Sequence, residues 1–223
     1  MGHPVSLSTR TGRIGAWRAD PPIPPHGALV VVQEIFGVNA HIRRVVDRFA
    51  AHGYVAIAPA LFDHIEPHVE LGYDEAGVAR GRELVERLDW DHVLGDIAAA
   101  ACEIEATTDS GKVGVVGFCW GGTVAFLANC RLGFPAVSYY GGRTLPFLGH
   151  EHPQAPLLMH FGESDPLIPR EDVALHREHL PGALIETWPA GHGFNCDERA
   201  DFDEASARGA LDRTLAFFGR HLR

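Results

Sequence analysis

The sequence predicts an α/β fold, one domain with a mostly parallel sheet of about seven to eight strands and helices on both faces. Three observations predict it. Short apolar runs alternate with segments of helical period along nearly the whole chain. Several of those runs are unbroken and β-branched, as in Ala28-Leu29-Val30-Val31-Val32, which suits strands buried on both faces. No repeat or low-complexity block divides the chain. The expectation is therefore a single domain over 1–223.

The elements follow in order. Residues 1–26 read as an N-terminal hairpin and a stiff loop, Pro21-Pro22-Ile23-Pro24-Pro25. The strand at 28–32 comes next. His41–His52 places Ile42, Val45, Val46, Phe49 and Ala50 on one helical face and stops at Gly53. Val55–Pro59 is a strand, and Asp74–Leu88 and Asp91–Thr107 are helical. Lys112–Val116 is a strand running into Gly117, with a small-residue helix over Gly121–Cys130. Strands at Ala136–Tyr140, Leu157–Phe161 and Leu184–Trp188 follow, with a helix near Glu171–His179 and a final helix over Phe202–His221.

Composition narrows the function. Of 223 residues, 46% are hydrophobic and 22% charged, which suits a globular chain and excludes a disordered one. The 19 basic against 29 acidic residues give a net charge of −10. That is the wrong sign for nucleic acid or an anionic membrane surface. Met1–Arg18 lacks the apolar core of a secretory signal, and no run is long enough to cross a bilayer. The four cysteines form no C-x-x-C pair, so neither a disulfide framework nor a zinc ribbon is expected. A cytoplasmic protein, monomer or homodimer, is the expectation.

The chemistry concentrates at Gly117-Phe118-Cys119-Trp120-Gly121, a G-x-C-x-G segment between a strand and a helix. In a nucleophile elbow the central side chain projects from a strained turn, and flanking glycines allow close backbone approach. The turn sets the nucleophile at a helix N-terminus, which favours a thiolate. The N–H of Trp120 would then face a developing oxyanion. Asp165 lies directly after the strand 157–161, and His192 directly after the strand 184–188. Both fall at the sheet edge where ligands bind in open α/β folds. The order nucleophile, acid, base is that of the α/β-hydrolases. It points to a triad of Cys119, His192 and Asp165, with Asp165 fixing the tautomer and His192 moving the proton.

With these residues the chain resembles the dienelactone hydrolase (carboxymethylenebutenolidase) family from about Gly27 to Phe218. The likeness rests on Gln33-Glu34-Ile35-Phe36-Gly37-Val38-Asn39, the cysteine elbow and the Asp165 and His192 loops. It implies a cofactor-free hydrolase of small esters or lactones working through a thioester. It also implies that Glu34 takes part in activating the thiol and that the N–H of Ile35 is the second oxyanion donor. The family holds a substrate carboxylate with arginines, for which Arg80, Arg82 and Arg199 are the candidates here. The position four past His192 is Cys196 rather than arginine. Tyr139 or Tyr140 could line the pocket. The competing expectation is a non-catalytic small-molecule binder or redox-sensing thiol protein on the same fold.

Other clusters read as non-functional. Asp63-His64-Ile65-Glu66-Pro67-His68 and His150-Glu151-His152 contain metal-ligating types but not the i, i+4 histidine pair of a zinc protease. No metal is expected, and no phosphate-cradling glycine motif calls for a nucleotide. Cys102 and Cys130 fall in apolar helical segments and read as core residues. Cys196 reads as partly exposed.

Overall fold

In the computed structural model, residues 1–106 and 111–222 are described. Thr107, the expected end of the third helix, lies outside them. The described residues divide into two compact units, Met1–Gly114 with Leu222, and Val115–His221.

The first unit opens with an antiparallel hairpin, β1 (His3–Thr9) and β2 (Gly12–Ala19). The proline-rich stretch then crosses to β3 (Gly27–Val32), every residue of which is buried. Helix α1 (Ala40–Ala51) leads to β4 (Tyr54–Pro59), which pairs parallel with β3 and antiparallel with β2. Helices α2 (Glu75–Glu86) and α3 (Trp90–Glu105) complete the unit. Each of the three helices starts where the sequence supplies a side-chain cap. Asn39 accepts from the Ile42 N–H, Asp74 from Gly77, and Asp89 from Asp91 and His92; such caps satisfy N–H groups that the first turn cannot.

The second unit carries β5 (Val113–Phe118), which begins two residues before the unit does, and α4 (Trp120–Leu132). Strand β6 (Ala136–Tyr139), β7 (Leu157–Gly162), α5 (Arg170–His179), β8 (Leu184–Trp188) and α6 (Glu204–His221) follow. Strands β5 to β8 pair in sequence order, all parallel. Strands β5, β6 and β7 are buried throughout, which is why they read as continuous apolar runs rather than alternations. Strand β8 is only partly covered, consistent with its mixed composition, Leu-Ile-Glu-Thr-Trp. The α/β class and the strand number expected from sequence are both present.

Two cysteines differ from expectation. The buried face of α3 runs through Val93, Leu94, Ile97, Ala100, Ala101 and Ile104, and Cys102 falls off it, exposed. The alanine-rich segment around it hides that face in the sequence. Cys196 is fully buried rather than partly exposed, because the turn after His192 folds inward, with Cys196 N–H donating to the Gly193 carbonyl. Cys130 is buried as expected, and burial pushes its thiol up to about 12.

Candidate active site

Strand β5 ends directly at Cys119, which has φ 54° and ψ −119° and caps α4. A β-carbon added at Gly117 would fall on the Gly121 carbonyl, and one at Gly122 would lie 2.7 Å from the Tyr139 carbonyl. Only glycine leaves room for this close return of the chain. The turn is held further by the Cys119 N–H donating to the Tyr139 carbonyl at 3.0 Å. A non-glycine residue at positive φ is strained, and here the strain projects the thiol from the end of the strand. Cys119 is half-buried. Trp120 is the first residue of α4, where N–H groups point out of the helix end.

The loops after β7 and β8 bring the other two residues to this thiol. His192 Nε2 stands 3.2 Å from Cys119 Sγ, and His192 Nδ1 stands 2.7 Å from Asp165 Oδ2. The second oxygen of Asp165 accepts the Leu167 N–H at 2.8 Å, so both carboxylate oxygens are fixed. Asp165 and His192 are each only 4% exposed. Burial by itself would lower the His192 pKa, but the Asp165 carboxylate and the Cys119 sulfur outweigh it and raise it to about 10. A carboxylate on one ring nitrogen and a sulfur on the other both favour the charged imidazole. The arrangement can hold a nucleophile, supply or withdraw a proton at its sulfur, and keep the base in one orientation.

Aromatic rings enclose the base. Tyr140, at φ 41°, packs its ring edge-on to His192 at 5.2 Å, and Phe194 packs on Tyr140 at 5.4 Å. Tyr139 turns the other way. Its hydroxyl lies 2.7 Å from Thr214 Oγ1, which also meets His160 Nε2 at 3.1 Å. The indole N–H of Trp188 donates to the opposite nitrogen of His160 at 3.1 Å. Arg199 packs under the base loop, where a β-carbon on Gly193 would meet its Nε at 2.7 Å.

Glu34, Ile35, Arg80 and Arg82 belong to the first unit. Glu34 is fully buried at the end of β3 and accepts from the Tyr73 hydroxyl at 3.4 Å, and Asn39 in turn donates to that hydroxyl at 3.1 Å. The buried carboxyl thus has a hydrogen-bond donor, as burial demands. Ile35 is half-buried, and Gly81 of α2 lies against its carbonyl so closely that a β-carbon would overlap the oxygen. Arg80 is held in ion pairs with Glu66 and Glu83, whereas Arg82 is exposed. In the clusters set aside above, Asp63 accepts from the Gly15 and His68 N–H groups, and His64 pairs with Asp96 at 3.0 Å.

The sequence reading passed over Arg143 and Thr123. The Arg143 N–H donates to Thr123 Oγ1 at 3.2 Å. The signal was available: Arg143 follows Tyr140-Gly141-Gly142 just after β6, at the same strand ends that carry the triad.

Comparison with known proteins agrees with this architecture. The sequence profile of the dienelactone hydrolase family matches residues 14–222. The chain is 32% identical to the carboxymethylenebutenolidase of Pseudomonas putida, over 96% of this chain and 94% of that one. It is 30% identical to carboxymethylenebutenolidase 1 of Cupriavidus pinatubonensis, over 95% and 94%. A crystal structure of a Klebsiella pneumoniae protein named as a dienelactone hydrolase superposes with a TM-score of 0.88 at 29% identity, covering 99% of each chain. The chain belongs to the dienelactone hydrolase family and has its α/β-hydrolase fold.

Proposed function

We propose that this chain is a cofactor-free hydrolase of small esters or lactones, acting through a Cys119–His192–Asp165 triad and a thioester. The observation that carries the reading is the continuous line from Sγ through the imidazole to a carboxylate, at 3.2 and 2.7 Å. The family profile spans residues 14–222, which supports reading the chain as one hydrolase domain. The names of the Pseudomonas and Cupriavidus relatives support an unsaturated lactone as one substrate to try.

In the first step the Cys119 thiolate attacks the substrate carbonyl carbon, and the carbonyl electrons move onto its oxygen. The N–H groups of Trp120 and Ile35 are assigned to that oxyanion, the second on the family resemblance. Collapse of the intermediate breaks the carbonyl–oxygen ester bond and leaves a thioester on Cys119. The His192 imidazolium gives its Nε2 proton to the departing group, either an alkoxide or the enolate that a ring-opened lactone releases, and becomes neutral. Neutral His192 then takes a proton from water, whose oxygen attacks the thioester. The acid product leaves and the thiolate–imidazolium pair is restored. Asp165 holds the Nδ1–H tautomer throughout. Glu34 is assigned, again by resemblance, to activating the thiol on substrate binding.

The test is turnover of 4-nitrophenyl esters and unsaturated lactones by the wild type and Cys119→Ala. The reading expects hydrolysis by the wild type and its loss in the variant. An active Cys119→Ala protein would overturn the nucleophile assignment. Tight ligand binding without turnover would favour a binding protein instead.

A further inference from the structure

We infer that the first unit holds a small-molecule site of its own, a cavity beside the N-terminal hairpin that takes an aromatic carboxylate. The inference is independent of the hydrolase reading, because the residues that form the cavity all fall between Pro4 and Glu70.

The cavity has a volume of about 530 Å³, within the range of ligand pockets, and its hollow begins at one residue. Side chains alternate along β2, so Arg13, Gly15 and Trp17 share a face while Ile14 and Ala16 are buried on the other. Across the hairpin Gly15 is paired with Ser6, and Trp17 with Pro4. The middle of that face therefore carries only a hydrogen atom and a hydroxymethyl group, between a guanidinium and an indole. A glycine inside a strand forgoes packing and marks the close approach of another group. The loop after β4 closes one side. Its Ala60 N–H donates to the Gly15 carbonyl at 2.8 Å, and its Asp63 accepts the Gly15 N–H at 2.7 Å.

The walls are fixed without a ligand. The other oxygen of Asp63 accepts the His68 N–H at 3.1 Å. Glu70 holds the Arg43 guanidinium through both oxygens, at 2.6 and 2.7 Å, and Arg43 also donates to the Val38 carbonyl at 3.1 Å. That guanidinium lies over the Trp17 ring at 5.6 Å, so one end of the cavity is a flat indole–guanidinium stack. Both carboxylates that line the cavity, Asp63 and Glu70, are thus engaged. Two donors are not. Arg13 Nε reaches back to the Ser6 hydroxyl at 3.3 Å, which sets its guanidinium beside the residue opposite Gly15. Among the described residues that guanidinium meets no carboxylate, and the His68 imidazole has no hydrogen-bond partner. His68 stands at φ 60°, a strained value that Asp63 maintains, and such strain collects at ligand clamps. A ligand that satisfies these walls carries an anion for Arg13 and His68 and a flat apolar body for the Trp17 end. A guanidinium matches a carboxylate with two parallel donors. The four strand residues from Arg13 to Trp17 rise about 13 Å, room for two fused rings and a carboxylate.

The test is isothermal titration calorimetry of the full chain with 2-naphthoate, octanoate and the neutral 2-naphthalenemethanol. The expected result is one saturable site for 2-naphthoate, bound about 10- to 100-fold more tightly than the alcohol, the range for a charged hydrogen bond. Arg13→Gln should remove most of that difference. His68→Asn, which tolerates a left-handed backbone, should remove part of it. Ser6→Phe fills the hollow from the neighbouring strand without deleting a charge and should abolish binding. Arg13 is exposed, so its variant keeps the fold and decides the question if Ser6→Phe does not fold. Cys119→Ala should bind 2-naphthoate as the wild type does. No saturable binding, binding that Arg13→Gln leaves unchanged, or binding lost in Cys119→Ala would overturn the site. Octanoate bound as tightly as 2-naphthoate would overturn the aromatic class.

Discussion

On the proposed reading, Cys119 and His192 form the pair on which the chemistry turns, with Asp165 fixed to the imidazole. The pKa of His192 is raised, to about 10, by Asp165 and the Cys119 sulfur against the effect of burial. Turnover should hold through mildly alkaline conditions and fall as pH rises through about 10, when the imidazolium that protonates the leaving oxygen is lost; a pH profile of kcat checks this. Asp165→Asn should cost about two to four orders of magnitude in kcat, because it destabilises the imidazolium and releases the tautomer. Steady-state kinetics on a neutral ester, with circular dichroism to verify folding, measures it. Thiol chemistry offers a separate check. Limited iodoacetamide at pH 6 should label Cys119 ahead of the exposed Cys102, since only the former has an imidazolium beside its sulfur, and should leave buried Cys130 and Cys196 unmodified. Peptide mapping reads the order. At this scale the sequence was informative where glycines and strand ends marked a residue. It was silent where a partner lay far along the chain. Arg80 is committed to Glu66 and Glu83, and nothing in Ala79-Arg80-Gly81-Arg82 discloses the first of these. Burial of Cys196 depends on a turn whose inward course no local pattern records.

The elements explain why the reactive groups land together. Strands β5 to β8 are parallel neighbours in a run, so the C-terminal ends of β5, β7 and β8 share one edge, and a residue placed just after each of these strands arrives there without any long loop. This made the meeting of Cys119, His192 and Asp165 legible from order alone. The elbow is the most constrained element, since Gly117 abuts the Gly121 carbonyl. Gly117→Ala should destabilise the protein by about 1–3 kcal/mol through overpacking and should reduce kcat more than any surface glycine substitution, such as Gly149→Ala, where an added β-carbon meets nothing within 4 Å. Urea unfolding and esterase assays on the two variants test this together. Helix faces were less legible. In α3 four consecutive alanines precede Cys102, and hydrophobic period is weak at placing a face where so many neighbours are small and apolar.

For the whole molecule, acid should be the destabilising direction at the buried histidine of β7. His160 is fully enclosed, bonded by Trp188 and Thr214. Burial, with a smaller contribution from Arg213, lowers its pKa to about 3. The unfolded chain takes up the proton near the ordinary value of about 6.5, whereas the folded chain refuses it until about 3. Stability from this group is therefore present above about 6.5 and is lost as pH falls toward 3. His192 runs in the opposite sense: its contribution is full below about 6.5 and fades as pH rises through about 10. Thermal unfolding of His160→Gln should show a lower Tm at pH 7 and a shallower fall in Tm between pH 6 and 4 than the wild type. An equally steep acid slope in that variant would assign acid sensitivity elsewhere. The charge of −10 argues against nucleic acid as a partner, but it says little about the substrate, which meets only the local field of the site. None of the described helices is long and apolar enough to cross a membrane.

The central claim is that Cys119 carries the acyl group. It is tested most directly by acid-quenching the enzyme during turnover of a slowly hydrolysed ester and measuring its intact and peptide masses. The account predicts one acyl mass added to the peptide containing Cys119, removable by neutral hydroxylamine as a thioester is, and absent from Cys119→Ala. An adduct on another residue, or turnover that persists in Cys119→Ala, would contradict it.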